Sequence, residues 1–500
     1  MSLSKSFRAS WGIGVAAVLL AVVPPSRIAS ADNVVGGAVA AGSVDPAASE
    51  GVFRHLRVLQ DIAAANGGNR AAGMPGYDRS ADYVAERLKE AGYVVRFEEF
   101  EFPFFEEHTP PVLLTRKPDG TQEPAPADAV RTLGSSGSGD VTARLRTVNL
   151  KLDAEPRVAS NSGCETADFE NFEHGSVALI RRGTCQFQVK VDNAVAAGAA
   201  GVVIMNEGTD GRIDGFSGQL SKLAAIPVVG VPYEFGRSLA TLADGGITVR
   251  LAVDAVTGKR PTRNVLAATP LENMNSLIVV GAHLDSVSEG PGINDNGSGS
   301  ATVLEAALQL AKEPSETRSR VRFAFWGAEE RGLLGSRHHV GALSEEERRQ
   351  IAVYVNLDMV GSPNFGRFVQ SSALPADGLA ATVQRELLAE FREHNLPVEE
   401  RAVGRSGSDD ASFRQKEIPT VGLYTGAGGP KSAAQAALFG GAAGPYDACY
   451  HRACDTIENI NREVLVQNTR ALMRALRVVT IAAGSSGTPA QKAVELPKPE

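Results

Sequence analysis

Long apolar runs alternate with amphipathic stretches over the second half of the chain. The runs SLIVVGAH, RVRFAFWGAEE, IAVYVNLDMV and IPTVGLYTG are almost continuously hydrophobic, as is typical of parallel strands that are covered on both faces. The stretches between them, GSATVLEAALQLAKE, GLLGSRHHVGAL and LAATVQRELLAEFREHN, have apolar residues at helical spacing. This order predicts an α/β domain with a doubly wound, mostly parallel sheet.

The first half of the chain has a different pattern. Two amphipathic helical stretches, VFRHLRVLQDIAAA and GYDRSADYVAERLKEAG, are followed by YVVRFEEFEFPFF, which alternates like a strand. Within 112–257, the buried strand VALI, the helix QFQVKVDNAVAAGA and the buried strand GVVIMN predict a βαβ unit. This segment lacks a cluster of acids and histidines of its own, so it is interpreted as an inserted module of mixed β/α structure.

Length and charge limit the classes of protein to consider. A chain of 500 residues is too long for one ordinary core, so we expect two or three domains. The net charge is −8 and the basic residues are scattered, which argues against binding to nucleic acid or to an anionic membrane. The last residues, 486–500, have the composition of a disordered tail.

The N-terminus has the pattern of a secretory signal peptide. Lys5 and Arg8 precede an apolar run from Trp11 to Val23, and Ala29 to Ala31 fits a cleavage site with small residues. The run is shorter than the ~20 residues that are needed to span a bilayer. We therefore expect residues 1–31 to be removed and the protein to be secreted, extracellular or periplasmic, without a membrane anchor.

The chain has four cysteines, Cys164, Cys185, Cys449 and Cys454. An even number in an exported protein predicts two disulfides. Pairing of Cys164 with Cys185 and of Cys449 with Cys454 is favoured because each pair lies in its own motif, but the sequence alone leaves the connectivity open.

Acids and histidines stand at the ends of the apolar runs, where an open α/β sheet binds its ligands. The candidates are His283, Asp285, Asp295, Glu329, Glu330, Asp358 and, further along, His451. Imidazole and carboxylate groups both bind zinc, and there are more of them than the about three ligands of one catalytic zinc ion. Any one of them alone is more often a helix cap or a structural acid. Their joint placement predicts two metal ions that share a bridging carboxylate.

The inserted segment resembles the protease-associated (PA) domain, a lid-like module of several secreted peptidases. The resemblance is carried by RRGTC followed by NAVAAGAAGVVIMN, and it covers a stretch that includes both Cys164 and Cys185.

The surrounding sequence resembles secreted, leucine-preferring bacterial aminopeptidases with a pair of co-catalytic zinc ions. The motifs that carry this resemblance are GAHLDS, DNGSG, FWGAEE, NLDMVGSPN and CYHRACD, and residues 50–105 resemble the N-terminal part of the same family. The implied organisation is a signal peptide (1–31), the N-terminal part of the peptidase domain (32–111), the PA domain (112–257), the catalytic domain (258–485) and the tail (486–500).

The resemblance implies a ligand set for two Zn²⁺ ions. His283 and Asp358 bind one ion, Glu330 and His451 bind the other, and Asp295 bridges them. The family has a cis peptide bond after the bridging aspartate, so we expect one between Asp295 and Asn296.

Three further residues acquire roles from the resemblance. Glu329 is the general base, which takes a proton from the attacking water and gives it to the leaving amine. Asp285 orients His283, since a ligand imidazole needs an acceptor for its other nitrogen. Tyr450 donates a hydrogen bond to the developing oxyanion.

The remaining candidates concern substrate binding. Tyr424 falls where the family lines a hydrophobic pocket, and Arg405 falls near a substrate-binding arginine, displaced by an apparent two-residue insertion. His338 and His339 lie on the helix after the glutamate pair, where the family has unrelated residues. We interpret them as surface histidines of a helix and not as metal ligands.

We therefore expect a monomeric, secreted zinc aminopeptidase that uses metal-activated water to remove one N-terminal residue, large and hydrophobic, from peptides with a free N-terminus. A carboxypeptidase or dipeptidase of the same metal clan would need clustered arginines near the metal motifs, and the sequence has no such cluster. A single-zinc transferase similar to glutaminyl cyclases would not need five ligands. A non-catalytic binding protein of the same fold would have lost them.

Overall fold

A computed structural model describes residues 46–126, 128–152, 160–209, 211–269, 276–313, 321–374, 377–403 and 407–484. The predicted signal peptide, the predicted tail and Arg405 lie outside the described residues.

The elements of the described residues are numbered in chain order. The strands are β1 Val94–Arg116, β2 Gln122–Pro124, β3 Arg131–Thr132, β4 Gly139–Thr147, β5 Val177–Arg181, β6 Gly201–Met205, β7 Val228–Val231, β8 Thr248–Ala268, β9 Leu277–His283, β10 Val321–Trp326, β11 Ile351–Leu357, β12 Phe368–Ser371, β13 Glu399–Ala402, β14 Thr420–Tyr424, β15 Pro430–Lys431 and β16 Gly444–Pro445. The α-helices are α1 Pro46–Ala65, α2 Pro75–Glu90, α3 Phe187–Ala196, α4 Tyr233–Asp244, α5 Gly299–Leu310, α6 Leu334–Ala342, α7 Glu345–Gln350, α8 Leu379–Glu393, α9 Asp410–Arg414, α10 Ala433–Phe439 and α11 Arg462–Gly484.

The peptidase part contains the predicted doubly wound sheet. Its strands follow the order β13-β12-β14-β11-β9-β10-β8, with β9 parallel to both β10 and β11 and with β11 parallel to β14. All residues of β9 and β10 are buried, because helices cover both faces of the sheet. Val280 and Phe325 pack in a cluster with α1, α5, α8 and α11, whereas Val279 and Trp326 pack on the opposite face with α6 and α9.

The inserted part contains the predicted βαβ unit, formed by β5, α3 and β6. Strands β4, β5, β6 and β7 are parallel neighbours, and every residue of β5 and β6 is buried. The α/β class and the insertion of one domain into the other are therefore confirmed.

Two long antiparallel strands, β1 and β8, connect the two parts. One end of β8 pairs with β10 of the peptidase sheet, and its other end pairs with β4 of the inserted domain. The expected domain boundaries at 112 and 257 fall inside these strands.

Both favoured disulfides are present, Cys164–Cys185 and Cys449–Cys454. Among the described residues, we find no helix with the length and apolar character that crossing a membrane requires.

Candidate metal centre and active site

The candidate ligands follow three adjacent strands of the peptidase sheet. His283 is the last residue of β9, Glu329 and Glu330 follow β10, and Asp358 comes directly after β11. Because β9 lies between β10 and β11 and all three are parallel, their carboxyl ends bring these side chains to one edge of the sheet.

Asp295 lies between the two candidate histidines. Its Oδ1 is 3.3 Å from Nε2 of His283, and its Oδ2 is 3.1 Å from Nε2 of His451. Both imidazoles therefore face the same carboxylate from different sides, and each carboxylate oxygen faces one of them. The peptide bond from Asp295 to Asn296 is cis, as the sequence predicted.

Each histidine has a second carboxylate beside it. Nε2 of His283 is 3.5 Å from Oδ1 of Asp358, and Nε2 of His451 is 3.1 Å from Oε2 of Glu330. The side chains form two overlapping groups, one of His283, Asp295 and Asp358 and one of Asp295, Glu330 and His451. Within each group the ligand atoms lie within 4.8 Å of one another.

The chemistry of this donor set fits bound cations. Oε1 of Glu330 and Oδ1 of Asp358 are buried and have no hydrogen-bond partner among the described residues. In the same part of the chain, no lysine or arginine forms an ion pair with Asp295, Glu330 or Asp358. Buried carboxylates are normally paired or coordinate a metal, so these residues have the composition of a metal site.

Protonation of the cluster reflects its excess of negative charge. Burial and, to a lesser extent, the neighbouring Asp295 raise the pKa of Glu330 to about 7. Burial lowers the pKa of His451, but the adjacent carboxylates of Asp295 and Glu330 outweigh burial and raise it to about 10. The pKa shifts on both residue types thus reflect close contact between the carboxylates and the imidazoles.

Asp285 contacts both His283 and the turn that carries Glu329 and Glu330. Nδ1 of His283 lies 3.1 Å from the main-chain oxygen of Asp285 and 3.7 Å from its carboxylate. The carboxylate accepts hydrogen bonds from the backbone N–H groups of Glu329 (3.1 Å) and Glu330 (3.3 Å). The orienting acceptor for His283 is therefore the carbonyl of Asp285, and its carboxylate fixes the turn that carries the glutamate pair.

Glu329 lies beside the ligand cluster. One of its carboxylate oxygens lies within 4.8 Å of ligand atoms of His283 and Glu330. Burial raises its pKa well above the usual range, and only the nearby His283 opposes this effect to a large extent. A carboxyl group in these surroundings is suited to accept and release a proton.

The second disulfide encloses Tyr450 and His451. Cys449 and Cys454 are five positions apart, and His451 has a φ of 57°, a region that residues other than glycine rarely adopt. The rings of Tyr450 and His451 are stacked with their centroids 3.8 Å apart. The short loop therefore holds an imidazole and a phenol together beside the carboxylates.

Tyr424 ends β14 and packs against an aromatic cluster of Phe368, Phe439 and Tyr446. Burial and, to a lesser extent, the charge of Asp358 raise its pKa to about 12.

The interpretation of His339 as a surface residue is wrong. Its side chain is fully buried, its Nδ1 lies 3.1 Å from Glu98, and its ring lies 5.2 Å from that of Trp326. His338 is exposed and stacks on Phe100. Neither belongs to the ligand groups of the described residues.

Sequence reasoning missed Asp455 as a part of the site. Its carboxylate accepts the backbone N–H groups of Asn294 (2.8 Å) and Asp295 (3.0 Å). The signal was available, because Asp455 is the last residue of the CYHRACD motif. Its role could not be read there, since its partners are backbone groups about 160 positions away.

Sequence comparisons identify both parts of the chain. Residues 264–476 match the profile of peptidase family M28, and residues 147–239 match that of the PA domain. An aminopeptidase of Pseudomonas aeruginosa is 44% identical over 430 residues, which cover 84% of this chain and 79% of that protein. Leucine aminopeptidase 2 of Trichophyton rubrum is 41% identical over 334 residues, 65% of this chain and 66% of the relative.

A solved structure has the same architecture. The zinc aminopeptidase BSAP of Bacillus subtilis superimposes with a TM-score of 0.61 and 25% sequence identity, over 86% of this chain and 95% of that chain. With the ligand cluster at the carboxyl edge of the sheet, these likenesses establish that the chain belongs to peptidase family M28 and is a metallo-aminopeptidase with an inserted PA domain.

Proposed function

We propose that the protein is a secreted aminopeptidase with two zinc ions that removes one large, hydrophobic N-terminal residue from peptides. The observation that carries this proposal is the position of Asp295, whose two carboxylate oxygens face the imidazoles of His283 and His451. A carboxylate with one oxygen toward each of two ligand sets is suited to bridge two ions.

Each ion would have its own pair of ligands besides the bridge. His283 and Asp358 would hold one ion, and Glu330 and His451 would hold the other. This arrangement would use the unpaired oxygens of Asp358 and Glu330. Bound zinc would polarise the scissile carbonyl and lower the pKa of water. The relative from Bacillus subtilis is described as a zinc aminopeptidase, which supports the choice of metal.

Glu329 would act as the general base. Its carboxylate would take a proton from the attacking water and pass it to the leaving amine, from a position within 4.8 Å of ligand atoms of His283 and Glu330. The hydrogen bond from its backbone N–H to Asp285 keeps the carboxylate next to the ligand cluster.

Recognition of the substrate would follow from charge and shape. The free α-amine of a peptide would lie near the carboxylates of Glu329 and Asp358. The hydroxyl of Tyr450 would donate a hydrogen bond to the developing oxyanion. The aromatic surface around Tyr424 would contact the N-terminal side chain, and the relative named leucine aminopeptidase 2 supports an apolar preference.

Export would fit the two disulfides, which form and persist in oxidising compartments. The predicted cleavage after Ala31 is tested by N-terminal sequencing of protein recovered from the medium or periplasm. A sequence that starts at Asp32 is expected, and a protein that retains Met1 in the cytoplasm would contradict export.

The requirement for a free amine is the sharpest test of the reaction. The purified protein is incubated with a leucyl peptide and with the N-acetylated form of that peptide. Both reactions are repeated with protein that has been treated with a chelator and with treated protein to which zinc has been added back. We expect release of leucine from the free-amine peptide alone, loss of activity with chelator and recovery with zinc. Cleavage of the acetylated peptide at its carboxyl end would indicate a carboxypeptidase instead, and the absence of both bound zinc and cleavage would indicate a binding protein.

A further inference from the structure

The loop between His283 and Asp295 joins two candidate metal ligands. A buried arginine side chain donates hydrogen bonds to the carbonyl groups of this loop. The guanidinium group of Arg70, which is 0% exposed, donates hydrogen bonds to the main-chain oxygens of Leu284, Pro291 (3.0 Å) and Gly292 (2.6 Å). The backbone N–H of Arg70 also donates to the hydroxyl of Ser286, at 2.9 Å. Arg70 thus binds both ends of the loop from a segment that lies before α2, far away in the sequence.

The buried carboxyl group of Asp455 accepts hydrogen bonds from N–H groups that follow in the same loop. The carboxylate of Asp455 accepts the N–H groups of Asn294 and Asp295, and its main-chain oxygen accepts that of Ile293 at 3.0 Å. Asp455 comes directly after Cys454, so it also connects this loop to the disulfide loop that carries His451.

Hydrogen bonds, and not a direct ion pair between them, hold both side chains in place. Within the described residues, Arg70 and Asp455 form no ion pair with one another or with a third side chain. Burial lowers the pKa of Arg70 to about 10, so the guanidinium group remains protonated at neutral pH. Buried polar groups of this kind are tolerated when hydrogen bonds satisfy them. Backbone groups of one loop provide most of these bonds, and the side-chain amide of Asn459 also donates to Asp455 at 3.1 Å.

We propose that Arg70 and Asp455 are positioning residues that clamp the residue 284–295 loop and thereby fix Asp295 between the two histidines. This inference rests on the proposed two-zinc function and extends the site into the segment that precedes the PA domain. Groups that support a metal ligand typically affect metal affinity by about 10–100-fold, and a misplacement of about 1 Å can cost about 10²-fold in rate.

The test compares Arg70→Lys with Arg181→Lys. Arg181 is a matched control, because it is also a buried arginine whose guanidinium group donates to main-chain oxygens, those of Lys151 and Glu207 in the PA domain. Three properties of each full-length variant are measured. Zinc affinity is determined by competition with a chromophoric chelator, and kcat and KM are determined with a leucyl anilide. Tm is determined with and without zinc.

We expect Arg70→Lys to lower zinc affinity by about 10–100-fold and to lower kcat, with KM almost unchanged. Lysine keeps the charge but lacks the planar fork that reaches three carbonyl groups. Arg181→Lys should lower Tm to a comparable extent and leave zinc affinity and kcat at the wild-type values. An Arg70→Lys variant that lowers Tm alone would overturn the proposal and make Arg70 a merely structural residue.

Asp455→Asn covers the case in which Arg70→Lys does not fold. The amide keeps the shape of the side chain but accepts only one of the two N–H groups, so the same loss of zinc affinity and kcat is expected. Wild-type zinc affinity and kcat in this variant would also contradict the clamp. Failure of the proposed aminopeptidase function can be distinguished from failure of the clamp. In that case the wild-type protein itself would bind no zinc or would not cleave a free-amine substrate.

Discussion

The peptidase sheet and the PA domain use similar strands for different purposes. Buried parallel strands end in polar residues in both, but in the PA domain these residues satisfy one another. Arg181 at the end of β5 donates to main-chain oxygens, and Glu207 after β6 accepts from Arg212 at 2.8 Å. In the peptidase sheet, Glu330 and Asp358 keep buried oxygens that have no hydrogen-bond partner among the described residues.

Unpaired buried carboxylates, and not the strand pattern, therefore distinguish the candidate site from the strand ends of the PA domain. A buried polar group without a partner is costly, so a cluster of such groups indicates a ligand that completes their hydrogen bonding.

The two disulfides also differ between the PA domain and the peptidase part. Cys164–Cys185 closes 21 positions of the PA domain, whereas Cys449–Cys454 closes five around Tyr450 and His451.

The largest effect is expected for Glu329→Gln. Loss of the general base should lower kcat by about 10²–10⁴-fold, measured on a leucyl anilide, while the zinc content stays at the wild-type value. The matched control is Glu207→Gln, which alters a buried glutamate at a strand end of the PA domain and should leave kcat unchanged. Full activity in Glu329→Gln would exclude the proposed role.

The next effect is expected for Tyr450→Phe. The ring can remain stacked on His451, so the variant removes only a hydrogen-bond donor, and kcat should fall by about 10²-fold with a small change in KM. Tyr233→Phe, in the PA domain, serves as the control and should have wild-type kinetics. Equal kcat values for the two variants would remove Tyr450 from the reaction.

A smaller effect is expected when Cys449 and Cys454 are both replaced by serine. Because the closed loop is short, the disulfide restrains little unfolded chain and Tm should change modestly. The backbone of His451, with its φ of 57°, would lose its restraint, so zinc affinity should fall by about 10-fold or more, with a parallel loss of kcat. A variant with a large loss of Tm and unchanged zinc affinity would assign this disulfide to global stability.

The smallest effect on catalysis is expected when Cys164 and Cys185 are both replaced by serine. The longer closed loop should make the loss of Tm larger than for the other pair, whereas turnover of small anilides should be unchanged. We also expect altered hydrolysis of long peptides, since the PA domain is interpreted as a lid. Equal losses of anilide turnover for the two disulfide pairs would contradict this division of roles.

The sequence predicts the sheet and the candidate ligands because both depend on local pattern. His283 and Asp358 stand at the ends of apolar runs, and parallel strands bring such ends together without any knowledge of side-chain contacts. The choice of His283, Asp295, Glu330, Asp358 and His451 as ligands remains a prediction.

The sequence does not predict contacts between distant elements. His339 looks like a surface residue of an amphipathic helix, but it is buried because Glu98 on β1, 241 positions away, provides its partner. Arg70 lies in a turn of small residues, GGNRAAG, and nothing local indicates that its partners are carbonyl groups of the loop before Asp295. Such pairs form only when the fold is complete.

We propose above all that the carboxyl edge of the peptidase sheet holds two zinc ions bridged by Asp295. Elemental analysis of the full-length wild type and of His283→Ala and His451→Ala measures it most directly, with His174→Ala, an exposed histidine of the PA domain, as the control. The account predicts two zinc ions per chain in the wild type and in the control, and one in each of the other variants. One ion or none in the wild type, or two in either ligand variant, would contradict it.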